Sequence, residues 1–229
     1  MSQSAIKAGY REANCLRKQL GLAVTQPADP CWAAKQIGLL VVLRPFEARR
    51  VAGLHVYRKD GDIAIAVINN SDTKARQRFT LAHEIAHNIF DREETILDDL
   101  STGGLREVRA NCFAGEFLLP QAAIANWRPK RPWTESPQDI AELALHYGVS
   151  YEAALYRLKS ADRLSKVDVA NLKDRYYEID DDARARISQR NEEIVVLPQE
   201  FLDVAEAAYE KRAISRGKYE ELKRGIVEK

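Results

Sequence analysis

Two histidines, His83 and His87, lie four residues apart in a segment whose apolar residues recur at helical spacing. Side chains at positions i and i+4 share one face of a helix, so both imidazoles can reach a single metal ion at about 2.0–2.1 Å. Glu84 directly follows the first histidine and can take a proton from a metal-bound water. The pattern therefore predicts a helix that carries two metal ligands and a general base.

The helix around this motif is predicted to be buried, because apolar residues cover most of its circumference. These residues are Phe79, Leu81, Ala82, Ile85, Ala86, Ile89 and Phe90. Buried histidines and a buried glutamate need partners, since an unpaired polar group in an apolar interior is strongly unfavourable. A shared metal ion supplies such a partner, whereas an ordinary helix with two unrelated histidines does not.

Composition limits the class of protein. The chain has 229 residues, of which 45% are hydrophobic and 30% charged, enough for one large domain or a domain with an appendage. A net charge of +1 provides no overall field that would recruit nucleic acid or a membrane. The three scattered cysteines form no disulfide framework. With neither a signal peptide nor a long apolar run, we expect a cytoplasmic protein without membrane contact.

Three strands are predicted ahead of the motif helix, where apolar and β-branched residues cluster in short runs. They cover residues 39–43, 51–57 and 62–69. A hairpin turn is expected at 59–61, so the three strands are predicted to form a small antiparallel sheet. Ser71 or Asp72 is the expected N-cap of the helix that follows.

After an acidic stretch at 91–99, a helix is predicted over 105–119. Beyond residue 136, a helix pair with a turn at 148–150 resembles a helix-turn-helix, which is both a packing unit and a DNA-binding unit. Its second helix has no dense basic stripe, so no direct nucleic-acid binding is expected. The fold class is therefore α+β, with a helical core, the helix pair and a helical C-terminal extension.

The tail is predicted to contain a short strand and two amphipathic helices. These elements cover residues 193–198, 199–211 and 215–227. The chain is accordingly divided into three predicted parts: a metal-binding domain over 1–135, a helix-turn-helix-like subdomain over 136–175 and an extension over 176–229.

A catalytic zinc takes three protein ligands and keeps one position open for water. Glu107, 20 residues after His87, is the preferred third ligand, and Asn111 one turn further can accept a hydrogen bond from a ligand histidine. Glu116 is the alternative. Nine residues at about 100° each place it opposite Glu107 on the helix, so only one of the two glutamates can face the metal.

The segments 79–87 and 107–120 resemble, in order and spacing, the ImmA/IrrE family of metallo-endopeptidases, and the similarity extends over about residues 10–160. The resemblance implies a zincin-type, thermolysin-like fold around zinc. Family members cleave, or relieve repression by, XRE-type helix-turn-helix repressors in stress responses and mobile elements. Many begin with a DNA-binding XRE domain, which this sequence lacks, so such a partner is expected on another chain.

The family pattern implies that His83, His87 and Glu107 bind zinc, with Glu84 as the general base. Another divalent ion, such as manganese, could occupy the same ligands. The predicted activity is therefore regulatory cleavage of a specific protein. The alternative is a non-proteolytic regulator, or an antitoxin-like module, that binds a repressor or toxin through the same fold.

Two further sets of residues are candidates for substrate contact. The third strand, which ends at Asn69, could pair with an extended substrate if it lies at the edge of the sheet. Tyr147 and His146 could donate hydrogen bonds to an oxyanion if the helix pair closes over the site.

Overall fold

The structure, a computed structural model, describes residues 2–45, 52–58, 63–91, 104–128 and 133–189, together with residues 206, 209, 210 and 216. The chain divides into two units, Met1–Asn191 and Glu192–Lys229. Several predicted features lie wholly or mostly outside the described residues: the turn at 59–61, the acidic stretch 91–99, the strand 193–198 and the two C-terminal helices. The four described positions of the second unit are helical.

The first unit contains a three-stranded sheet formed by β1 (Leu39–Arg44), β2 (Gly53–Arg58) and β3 (Ile63–Asn69), in the order β1-β3-β2. β3 is antiparallel to β2 but parallel to β1. The α+β class is confirmed, but the prediction of a wholly antiparallel sheet is wrong. The chain reverses direction twice between β1 and β3, and β1 then pairs with β3 rather than with its sequence neighbour.

The central position of β3 overturns the prediction that this strand offers a free edge to substrate. Asn69 pairs with Arg44 on one side, and Ile68 pairs with Gly53 on the other, so the backbone groups of β3 are used within the sheet. Among the described strands, β2 forms the edge that packs against the motif helix.

The described helices make up most of the first unit, and the second and third of them contact the sheet. They are α1 (Ser2–Gln19), α2 (Pro30–Gln36), α3 (Lys74–Phe90), α4 (Leu105–Leu118), α5 (Gln121–Ala125), α6 (Pro137–Tyr147), α7 (Tyr151–Ser160), α8 (Lys166–Asp174) and α9 (Asp181–Ile187), with a 3₁₀ turn at Tyr176–Glu178. None of the helices in these described stretches is both long enough and apolar enough to cross a membrane.

The motif helix α3 begins after Thr73, whose side chain accepts a hydrogen bond from the Arg76 backbone at 3.3 Å. The predicted caps are therefore wrong. The Asp72 carboxylate instead accepts from Arg76 Nε at 3.1 Å. The Ser71 backbone donates to Asn69 Oδ1 at 3.0 Å, which closes the turn out of β3.

The core lies where α3 packs against the sheet on one side and against α4 on the other, while α1 covers α4. Phe113 and Phe117 of α4 stack with ring centroids 5.8 Å apart and are fully buried. Leu81 and Ile85 bury the apolar face of α3. Each such side chain contributes about 1.5–3 kcal/mol on burial, which fixes α3 and α4 rigidly against each other.

The predicted helix pair after residue 136 is present as α6 and α7. Gly148 ends α6 in the left-handed conformation, with φ of 63°, which favours glycine. Ser150 then caps α7 through the Ala153 backbone at 3.1 Å. Both helices belong to the first unit. The division of this unit at residues 135 and 175 stays a prediction.

Candidate metal centre

Three ligand atoms converge between α3 and the first turn of α4. The Nε2 atoms of His83 and His87 are 2.9 Å apart. Glu107 Oε2 lies 3.2 Å from His83 Nε2, and Glu107 Oε1 lies 3.5 Å from His87 Nε2. All three side chains are buried, and together they form a group that could hold a metal ion. The residues that the sequence predicted as ligands are therefore brought together.

The hydrogen bonds on the far side of each ring determine its tautomer. His83 Nδ1 lies 3.0 Å from Asn111 Oδ1, and His87 Nδ1 lies 3.0 Å from Asp91 Oδ2. Both partners are acceptors, so each Nδ1 carries the hydrogen and donates it. In the neutral form of each ring, Nε2 then presents a lone pair toward the other histidine and the Glu107 carboxylate.

Two nitrogen lone pairs and a carboxylate in a buried site repel one another unless a cation lies between them. Ligands of a tetrahedral zinc at about 2.0–2.1 Å are about 3.3 Å apart. The two Nε2 atoms are 2.9 Å apart, and each has a Glu107 oxygen at 3.2 or 3.5 Å, Oε2 for His83 and Oε1 for His87. Two histidines and one glutamate are also a ligand set used by catalytic zinc sites. The residues present therefore fit a zinc ion.

Asp91 is a contributor to the site that the sequence reasoning missed. It is the C-cap residue of α3, and besides His87 its carboxylate accepts a hydrogen bond from Arg109 Nη2 at 2.5 Å. Burial acts to raise the pKa of Asp91, but the hydrogen bonds from His87 and Arg109 outweigh it and lower the pKa below its ordinary value. The available signal was its position four residues after His87, the same spacing that relates the two histidines.

Arg109 holds Asp91 in place from α4. Its guanidinium also lies over the Phe90 ring, 4.2 Å from the centroid, a favourable cation–π arrangement. The last turn of α3 is thus fixed to α4 by a charged and an aromatic contact. This connection keeps the acceptor of the His87 hydrogen bond at a constant position.

Glu84, the predicted general base, is only 1% exposed and lies where β2 approaches α3 most closely. A Cβ added to Gly53 would be 2.5 Å from Glu84 Oε1 and 2.5 Å from Thr80 Cγ2. Only glycine permits this approach of the strand backbone to the carboxylate. The edge strand β2 is therefore in direct contact with the proposed base, a feature that the sequence did not reveal.

The alternative ligand, Glu116, has a different set of partners. Its carboxylate pairs with Arg157 and accepts hydrogen bonds from Asn14 Nδ2 and the Gln121 backbone, each at 3.1 Å. Of the two glutamates on α4, Glu107 is the one that lies with the histidines.

The structure does not bring Tyr147 or His146 together with the ligand cluster. The Tyr147 hydroxyl donates to the Thr25 carbonyl at 3.1 Å, and burial raises the pKa of this phenol. His146 is exposed, and its ring lies 5.0 Å from that of Trp127. The contacts described for both side chains are thus to other parts of the first unit, and their role as oxyanion donors stays a prediction.

A groove of about 980 Å³ opens beside the cluster, and both His83 and Asn111 belong to its lining. The groove continues along the N-terminal part of α3 to α7. The ligand cluster is therefore accessible from a cavity large enough for part of a polypeptide.

The comparison with protein families agrees with this geometry. Residues 34–159, more than half of the chain, match the peptidase family whose model is described as the IrrE N-terminal-like domain. The chain belongs to this family. The match contains the motif helix, Glu107 and the helix pair up to residue 159.

Two curated relatives are similar over a shorter stretch. The chain is 34% identical over 106 residues to the radiation response metalloprotease IrrE of Deinococcus radiodurans, covering 43% of this chain and 32% of the relative. It is 33% identical over 106 residues to the protein of the same name from Deinococcus deserti, covering 43% of this chain and 37% of the relative. The similarity thus spans about a third of the length of each relative.

Proposed function

We propose that this chain is a zinc-dependent endopeptidase with a regulatory role. The observation that carries the proposal is the convergence of two imidazole lone pairs and the Glu107 carboxylate beside the buried Glu84. Membership of a peptidase family and relatives named as metalloproteases support it. The proposed location is the cytoplasm, without direct contact to nucleic acid or membrane.

In the proposed mechanism, the zinc ion would be held by His83, His87 and Glu107. Zinc bound there supplies Lewis acidity that lowers the pKa of a water and polarises a peptide carbonyl. Glu84 accepts the proton of the attacking water on a carboxylate oxygen and passes it to the leaving amine. The close contact with Gly53 restricts the rotamers of Glu84 and keeps that oxygen in place.

The hydrogen bonds to Asn111 and Asp91 have a supporting role. They fix the orientation and tautomer of His83 and His87, so both Nε2 atoms point toward the ion before it binds. Preorganisation of this kind avoids ring reorientation during the reaction.

An extended substrate would add to the edge strand β2 by main-chain hydrogen bonds. β2 is the described edge strand that contacts Thr80 and Glu84, so a peptide beside it would have its carbonyl groups near the proposed base. We therefore assign the substrate strand to β2 and not to the central strand β3, which ends at Asn69.

The proposed substrate is an XRE-type helix-turn-helix repressor on a separate chain. The ImmA/IrrE resemblance supports this substrate class, and the radiation response in the relatives' names supports a role in stress. Cleavage of such a repressor would relieve repression of its target genes.

The test combines metal analysis with incubation of the chain and an XRE-type repressor encoded beside it. We expect about one zinc per chain and chelator-sensitive cleavage. Glu84→Gln should retain zinc and lose cleavage, because only the base is removed. His83→Ala should lose both, whereas His146→Ala, which changes an exposed histidine outside the cluster, should lose neither.

Undiminished proteolysis by Glu84→Gln would contradict the mechanism. Zinc-dependent binding of the repressor without cleavage by the unmodified chain would favour the alternative, a non-proteolytic regulator or antitoxin-like module. The same measurements of cleavage and binding thus distinguish the endopeptidase from the non-proteolytic alternative.

A further inference from the structure

The groove beside the ligand cluster follows one face of α3. Starting at His83, its lining includes residues three, four and seven positions earlier, namely Thr80, Phe79 and Arg76, and reaches Thr73 at the start of the helix. This spacing keeps the lining on a single helical face. The ten helical steps from Thr73 to His83 span about 15 Å, which is the length of roughly four or five residues of extended polypeptide.

The helix pair supplies the opposite wall of this groove. Val149, Tyr151, Ala153 and Tyr156, from the turn before α7 and from α7 itself, belong to the lining. Tyr156 is 49% exposed, with Lys173 Nζ 4.8 Å from its ring centroid and 3.1 Å from its hydroxyl. The helix pair that resembles a DNA-binding unit in sequence thus faces the cavity that contains a ligand histidine.

The charges of the groove point to an apolar occupant. Its lysine and arginine side chains are already paired with carboxylates: Arg76 with Asp72 at 3.1 Å, Arg157 with Glu116, and Lys173 with Glu152. Arg157 is paired in a buried site, so it is not available to a charged substrate side chain, whereas Arg76 and Lys173 are partly exposed. Besides several hydroxyl side chains, the rest of the lining contains Phe79, Leu118 and aromatic rings of α7, and this apolar part suits a bulky apolar side chain.

We propose that this groove holds the polypeptide on one side of the scissile bond and selects a bulky apolar side chain within four or five residues of it. α7 is the wall that determines this specificity. The assignment rests on the proposed endopeptidase function, because His83 connects the groove to the reacting bond. The occupant is an extended segment of a protein substrate that carries an aromatic residue or leucine.

The experiment measures binding rather than cleavage, with the zinc-loaded Glu84→Gln variant. The probes are fluorescent, end-blocked peptides of about eight residues built on alanine, serine and glutamine, with Phe, Leu, Gly, Glu or Lys placed at each position in turn. We expect the Phe and Leu peptides to bind about tenfold more tightly than the Gly peptide, because one bulky side chain becomes buried. The Glu and Lys peptides should bind no better than the Gly peptide.

Two variants test the wall. Ala153→Trp fills the groove from α7 and should remove the preference for Phe and Leu, while Tyr156→Ser opens the wall at an exposed position and should weaken it. Lys159→Trp places the same large side chain on α7 outside the lining and should leave the preference unchanged. Circular dichroism of each variant checks that the helices are retained.

Equal binding of the Phe and Gly peptides, no measurable binding of any peptide, or an unchanged preference in both wall variants would overturn the groove assignment. These results would leave the endopeptidase proposal intact if the unmodified chain still cleaves the repressor. Conversely, cleavage that survives Glu84→Gln overturns the endopeptidase mechanism, while the peptide preference still reports on the groove.

Discussion

Helix α4 carries two buried glutamates nine residues apart, and their surroundings differ in kind. Near the start of the helix, the Glu107 oxygens face two imidazole nitrogens that bear lone pairs. Near its end, the Glu116 carboxylate is paired with the Arg157 guanidinium and accepts two further hydrogen bonds. The contacts described for Glu107 are to imidazole nitrogens, whereas those described for Glu116 are to a guanidinium and two further hydrogen-bond donors.

This difference separates a ligand site from a structural ion pair. A buried charge is tolerated when the fold itself provides a counter-charge, as it does at Glu116. At the Glu107 end, the hydrogen bonds at Nδ1 of His83 and His87 orient both Nε2 atoms toward the Glu107 carboxylate. A cation bound between the two Nε2 atoms and the carboxylate would be favoured by this arrangement.

Of the effects that distinguish the two ends of α4, the largest is expected on zinc affinity. Glu107→Gln should lower zinc affinity by more than the 10- to 100-fold typical of losing an outer hydrogen-bond partner, because it removes a charged ligand. Cleavage should be lost with the metal. Competition with a chromophoric chelator measures the affinity. Retention of full zinc affinity in this variant would show that Glu107 is not a ligand.

The opposite result is expected at the other end of α4. Glu116→Gln should leave zinc binding unchanged but destabilise the fold by about 3–5 kcal/mol, because Arg157 remains buried without its counter-charge. Urea unfolding of the metal-free chain measures this change. Replacing both partners, with Glu116→Leu and Arg157→Met, should destabilise less than Glu116→Gln alone. Zinc loss in a stably folded Glu116→Gln variant would contradict the distinction.

A smaller effect on zinc affinity is expected when the hydrogen-bond partner of a ligand histidine is changed. Asn111→Leu keeps the volume but removes the acceptor of the His83 Nδ1 hydrogen bond, so zinc affinity should fall by about 10- to 100-fold. The same chelator competition measures it. An effect as large as that of Glu107→Gln would mean that Asn111 acts at the ion itself and not through His83.

The candidate ligand residues could be predicted from the sequence because their geometry is local. The i and i+4 spacing places His83 and His87 together on any helix, and helical rotation alone separates Glu107 from Glu116. The choice between these glutamates required the positions of Arg157 and Asn14, which are far from α4 in sequence.

The order of the strands could not be predicted in this way. Apolar runs locate β1, β2 and β3 but do not say which pairs with which, since pairing depends on contacts distant in sequence. The sequence therefore predicts the substrate strand at Asn69, whereas the strand order leads us to propose β2. Gly53 also gave no usable signal, because its close approach to Glu84 exists only once the strand packs on α3.

A third buried carboxylate, Asp139, extends the comparison to a site stabilised by neutral donors. Its Oδ2 accepts hydrogen bonds from the backbone and hydroxyl groups of Thr134 and Ser136, at distances of 2.8–3.0 Å. This arrangement forms the capping box at the start of α6. Burial acts to raise the pKa of Asp139, but these hydrogen bonds outweigh it and lower the pKa below its ordinary value.

The smallest predicted effect follows from that shift. Because the pKa is lower in the folded chain, ionised Asp139 stabilises the fold above the unfolded-state pKa of about 3.9, and this stabilisation is lost as pH falls through the lower folded-state value. Asp139→Asn should therefore destabilise by about 1–2 kcal/mol at neutral pH, and the difference should shrink below about pH 4. Urea unfolding as a function of pH measures it. Asp174→Asn, an exposed change, should stay within about 0.5 kcal/mol. A deficit in Asp139→Asn that is independent of pH would show that side-chain shape, and not the ionised carboxylate, stabilises this cap.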